Sequence, residues 1–152
     1  MNTPHNHRSS IAAPVTASAS NAATGLTLLV AAGILVQAIL GGVLAGGDHP
    51  HAVDVHEIIG PALIVPSFVA SLVTRLRLRT TATGRRAYVA GVGVTAALII
   101  EAALGFAADD HPGVLALHIP IAVGLFGLLV RQLTSLRQLA RLRTMFGPED
   151  AK

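Results

Sequence analysis

The sequence predicts an all-α membrane protein: a four-helix transmembrane up-down bundle built from two tandem helical hairpins. Three observations carry that expectation: composition, four long apolar runs, and an internal repeat. Of 152 residues, 52% are hydrophobic and only 12% charged, against about 25% charged in an ordinary soluble domain. The mean hydropathy is +0.63.

In chain order, residues 1–24 are polar and rich in Ser, Ala, Asn and Thr. They hold no apolar core of a signal peptide, so a disordered N-terminal tail is expected. The four-helix domain follows over residues 25–134, with repeat halves at about 25–80 and 86–134. Its four apolar runs cover Gly25–Gly47, Val53–Thr74, Arg86–Ala108 and Gly113–Val130. At about 1.5 Å rise per residue each is long enough for a hydrocarbon layer of about 30 Å. Short connections make successive helices antiparallel neighbours. Residues 135–152 form a basic tail, and across its start Leu133, Leu136 and Leu139 recur at helical spacing. That tail either prolongs the last helix or lies along the membrane interface as an amphipathic segment.

The charges set an orientation. Arg75, Arg77, Arg79, Arg85 and Arg86 fill the middle loop, Arg131, Arg137, Arg141 and Arg143 follow the last span, and Arg8 lies in the N-terminal tail. The loops at Asp48 and Asp109–Asp110 contain no Lys or Arg. The positive-inside rule then puts both termini and the middle loop in the cytoplasm, in a multi-pass arrangement in a bacterial inner membrane. The formal charge of +3 is therefore a topology signal whose partner is the lipid bilayer, and not a nucleic-acid surface. The chain has no cysteine, which excludes disulfides and thiolate metal sites.

The repeat is the most informative feature. "DHPHAVDVHEIIG" (residues 48–60) and "DHPGVLALHIPIAVG" (residues 110–124) both begin Asp-His-Pro and carry a second histidine seven residues after the first. His56 and His118 thus align at an offset of 62 (118 minus 56). Upstream, "VQAILG" (36–41) lies over "IEAALG" (100–105), so that Gln37 falls on Glu101. Both copies run in the same direction, so their pseudo-twofold axis stands along the membrane normal.

Histidines inside a bilayer are costly and face the bundle interior with a partner. An interhelical hydrogen bond is one reading of each. Two at equivalent positions of a twofold bundle face each other at one depth, and suit the two axial positions of a haem iron. On that reading His56 and His118 are the metal ligands of one haem b. Gly60, one turn below His56, leaves room for a flat macrocycle. His49 and His111, nearly two turns further out, either hydrogen-bond haem propionates or are solvated loop histidines. Glu101 is the only charge deep in the third span, with Gln37 as its counterpart. It is either a polar contact to the cofactor or proton relay, or an interhelical hydrogen bond.

These motifs resemble one four-helix half of the haem A synthase family. In that family each half has a helix carrying Gln-x-x-Leu-Gly, followed by a helix that begins with a histidine haem ligand. They are also similar to small bacterial four-helix haem b membrane proteins. The resemblance covers about Gly25 to Arg131 and implies that His56 and His118 are axial ligands. The family has two such halves and a glutamate one turn before the ligand, where Val53 stands here. Oxidation of a haem methyl would therefore need a homodimer.

The expected function is electron transfer or redox sensing, with a quinone or a redox protein as partner, rather than stand-alone catalysis. Two alternatives remain. One is an outer-face metal site for Zn²⁺, Cu²⁺ or Ni²⁺ built from His49, His51, Asp54, His56, Asp109, Asp110 and His111. The other is a cofactor-free accessory subunit of a larger membrane complex. Gly91-Val92-Gly93-Val94-Thr95-Ala96 fits a dinucleotide fingerprint in letters alone, since it lies within a span and follows no strand.

Overall fold

The computed structural model describes residues 12–47, 49–78, 80–108 and 110–145. They form four helical spans: α1 (Ala12–Ala45), α2 (Pro50–Ala62) continuing as α3 (Ile64–Leu78), α4 (Ala82–Ala108) and α5 (Leu115–Met145). The apolar portions, Ser18–Ala45, Pro50–Leu78, Ala82–Ala108 and Leu115–Leu142, are 28, 29, 27 and 28 residues long. That is about 40 Å of helix each, more than the hydrocarbon layer requires. Their outward surfaces are apolar, with Ile58, Ile119 and Val123 exposed by 70%, 69% and 69%. Such faces suit lipid rather than water.

The packing order fixes the topology. α1 packs on the α2–α3 span and on α5, and α4 also packs on both the α2–α3 span and α5. The bundle is therefore a ring in which the first and third spans are diagonal, as are the second and fourth. The two hairpins sit in equivalent positions about the central axis. One end carries Arg75, Arg77, Arg85 and Arg86 around the α3–α4 turn, and is here called the basic end. The other, with the starts of α2 and α5, is the histidine end.

Two apolar clusters hold the bundle. At mid-depth Val30, Leu63, Val94, Leu98, Leu125 and Leu129 are buried together. Towards the basic end Ala23, Leu78, Ala87, Leu136 and Leu139 form a second cluster. The second cluster explains one departure from expectation and which of the two readings of the C-terminal segment holds. Residues 12–24, expected in a disordered tail, continue α1, because Ala23 is fully buried and alanine favours helix. The segment after residue 134 prolongs α5 as far as Met145, since Leu136 and Leu139 face the same cluster. Residues 1–11 and 146–152 lie outside the described residues.

The second span is broken at Leu63, between α2 and α3. Pro66 has no N–H to offer the carbonyl of Ala62, so the ladder loses one bond. The break delivers Leu63 into the groove at Gly33, where a side chain on Gly33 would fall against both Leu63 Cδ atoms. At the basic end, α4 starts after Thr81, whose Oγ1 accepts the Gly84 N–H at 3.0 Å. This is a side-chain cap of a free helix-end donor.

Candidate functional site

Proline placement starts the site. Pro50 is the first residue of α2 and His49 its cap, with the His49 carbonyl accepting the Ala52 N–H at 2.9 Å. Proline suits this position because the first helical N–H has no partner to lose. His111 precedes the 3₁₀ turn Pro112–Val114 in the same manner, and its carbonyl accepts the Val114 N–H at 2.9 Å. The second histidine of each copy then lies about 9 Å further along its helix. Both copies therefore deliver an imidazole to one depth.

His56 and His118 meet there. Their ring centroids are 6.5 Å apart, with the planes inclined at 57°. The residues come from diagonal spans, so the rings meet across the bundle axis rather than along a shared helix interface. The two histidines that the repeat places opposite each other do face each other here.

Gln37 and Glu101, on the other diagonal, each reach the histidine of the following span. Gln37 Nε2 donates to the backbone carbonyl of His56 at 2.8 Å. Glu101 Oε2 approaches His118 Nδ1 to 2.5 Å. That approach is short but not aligned along the ring N–H, so His118 Nδ1 has no directed hydrogen bond. Glu101 is 8% exposed.

Buried polar atoms are normally paired. Among the described residues, five buried side-chain atoms lack a hydrogen-bond partner: Ser20 Oγ, Gln37 Oε1, His56 Nδ1, Glu101 Oε1 and His118 Nδ1. Four of the five belong to this one cluster. Beyond the level of Leu63 and Leu98, Glu101 is also the only buried residue among those described. The apolar core stops below the histidines.

The other expected site residues fall in different places. Gly60 lets Gln37 close on α2: a side chain there would meet Gln37 Nε2 at 2.7 Å. Gly41, Gly42 and Gly105 have nothing within 4 Å of a Cβ position. His49 and His111 are exposed at the histidine end, as are His51, Asp54 and Asp110, while Asp48 and Asp109 lie outside the described residues. No three His, Asp or Glu residues come together as a metal-binding group among the described residues.

A second polar layer lies between the mid-depth core and the basic end, and was not anticipated. Ser67 and Thr95 share a hydrogen bond of 2.9 Å between α3 and α4. Gly91 allows Ser71 and Gln132 to close on α4, since a side chain at Gly91 would meet their polar atoms at 2.6 and 2.7 Å. The i, i+4 spacing of Ser67 and Ser71 on one face was the available signal.

Protein-family models, curated proteins and solved structures provide no match to the chain.

Proposed function

We propose that this chain is a small b-type haem protein of the membrane, holding one haem between His56 and His118 for electron transfer or redox sensing. The observation that carries the reading is the pair itself: two imidazoles from diagonal spans with centroids 6.5 Å apart. A metal–imidazole bond is about 2.0–2.1 Å. Two imidazoles on one metal therefore have centroids about 6 Å apart.

The surroundings fit the group. Each imidazole of the pair has an orphaned Nδ1, Gln37 and Glu101 beside it add two more orphaned oxygens, and the apolar core ends beneath it. The glycines at 41, 42 and 105 leave the neighbouring helix surfaces open. The donor set is nitrogen only, which suits haem iron. The resemblance of the Gln-x-x-Leu-Gly and histidine motifs to the haem A synthase half supports the same pair.

Haem iron, when bound, supplies a one-electron couple. His56 and His118 would fill both axial positions and leave none for a substrate, which favours electron transfer over catalysis on a bound ligand. Lipid-facing helices and the short span of one site within about 30 Å of hydrocarbon call for a quinone or a redox protein as partner. Under the positive-inside rule the arginines at the basic end support a cytoplasmic basic end, with the histidine pair towards the opposite face of a bacterial inner membrane.

An absorption spectrum tests the reading. Protein produced with ample haem and purified in detergent is expected to show a Soret band, with sharp α and β bands after dithionite. A colourless preparation under those conditions overturns it.

A further inference from the structure

We propose that Glu101 is a positioning residue that acts on bound haem through His118, making the two axial ligands chemically unequal; this rests on the haem reading above. The repeat predicts two equivalent halves, yet the structure distinguishes them at one atom. In the second half, the Glu101 carboxyl stands 2.5 Å from the His118 ring nitrogen Nδ1. In the first half, Gln37 occupies the equivalent position but spends its amide N–H on the His56 backbone carbonyl, leaving His56 Nδ1 without a partner. One imidazole has a carboxyl oxygen 2.5 Å from its second ring nitrogen and the other has no carboxyl beside it, while neither Nδ1 makes an aligned hydrogen bond.

A ligating histidine ordinarily donates its other ring N–H to a carboxylate, carbonyl or water, which fixes the tautomer and raises ligand basicity. Glu101 is the carboxyl available to His118, and its burial at 8% exposure holds it there. With the proton on Nδ1, the lone pair is on Nε2, the nitrogen left for iron. Aligning the contact requires only rotation about the terminal torsions of Glu and His, which are broad. His118 is then the stronger donor and His56 the weaker. A stronger donor stabilises ferric iron, so Glu101 lowers the reduction potential.

The test compares haem retention and midpoint potential in wild type, Glu101→Gln, Glu101→Leu and Gln37→Leu. Loss of such a partner commonly weakens metal binding about 10–100-fold. Glu101→Leu is expected to weaken haem retention by that factor and to raise the potential. Glu101→Gln, which keeps an acceptor oxygen and the shape, should raise the potential less and retain more haem. Gln37→Leu should shift the potential less than Glu101→Leu does, because Gln37 touches the His56 backbone and not the ring.

Glu101→Leu and Glu101→Gln proteins with wild-type potential and retention overturn the proposal while leaving haem binding intact. An equal shift in Gln37→Leu overturns it as well. Wild-type protein without haem overturns the haem reading first. Should Glu101→Leu fail to fold, the nearly isosteric Glu101→Gln decides through its potential.

Discussion

Glu101 and His118 come from adjacent spans and approach to 2.5 Å, whereas Gln37 and His56, their counterparts in the repeat, meet through a backbone carbonyl at 2.8 Å. The duplicated hairpin is thus symmetric in position and asymmetric in chemistry. The position follows from the ring order of the spans, which places both polar residues on one diagonal and both histidines on the other. The asymmetry follows from one functional group, an amide on one side and a carboxyl on the other.

If the two deep histidines are the ligands, each is separately necessary. His56→Ala and His118→Ala are each expected to lose the sharp reduced α and β bands. His49→Ala and His111→Ala should keep them, because both side chains are exposed at the histidine end. Reduced-minus-oxidised spectra of the four variants check this, and the opposite pattern would transfer the ligand role to the outer pair.

Gly60 and Gln37 are coupled by contact. A methyl at residue 60 would stand 2.7 Å from Gln37 Nε2, forcing the amide off the His56 carbonyl. Gly60→Ala is expected to destabilise the protein by about 1–3 kcal/mol, as overpacking does. Gln37→Ala should relieve most of that added cost. A double-mutant cycle on thermal unfolding in detergent measures the coupling.

The four spans were legible because hydropathy along the chain is enough to locate a membrane helix. The meeting of His56 and His118 was legible too, since a parallel repeat implies a common depth and a shared axis. Less legible was anything that depends on rotation about a helix axis. Sequence gave Glu101 a depth but not a neighbour, and it gave Gly60 a depth that suggested space where Gln37 is packed. The start of α1 at Ala12 was hidden because Ser20 and Thr24 are polar letters in a helix whose buried partners lie far along the chain. The Ser67–Thr95 contact was missed for a similar reason: the Thr95 hydroxyl also bonds within its own helix, to the Gly91 carbonyl at 3.0 Å, and the pairing across helices is a tertiary fact.

The α3–α4 turn offers a sharper test of backbone geometry. A side chain on Gly84 would run into the Leu78 carbonyl, a backbone atom that cannot turn aside. Gly84→Ala is expected to cost about 3 kcal/mol, the upper end of overpacking. Thr81→Ala, which removes the cap to the Gly84 N–H and a long 3.4 Å bond to the Leu78 carbonyl, should cost about 1 kcal/mol. Thermal unfolding followed by circular dichroism ranks the two, and equal losses would contradict the clash.

Orientation can be measured cleanly because the chain contains no cysteine. Gly113→Cys places a thiol in the exposed turn at the histidine end, where nothing lies within 4 Å of its Cβ. Thr80→Cys places one in the exposed turn at the basic end. Arginines flank the second position and not the first, so the positive-inside rule assigns them to opposite sides of the membrane. In intact spheroplasts a membrane-impermeant maleimide is expected to label Gly113→Cys at once and Thr80→Cys only after permeabilisation. The reverse order would put the histidine pair near the cytoplasmic face, and the proposed redox partner would then have to be sought on that side.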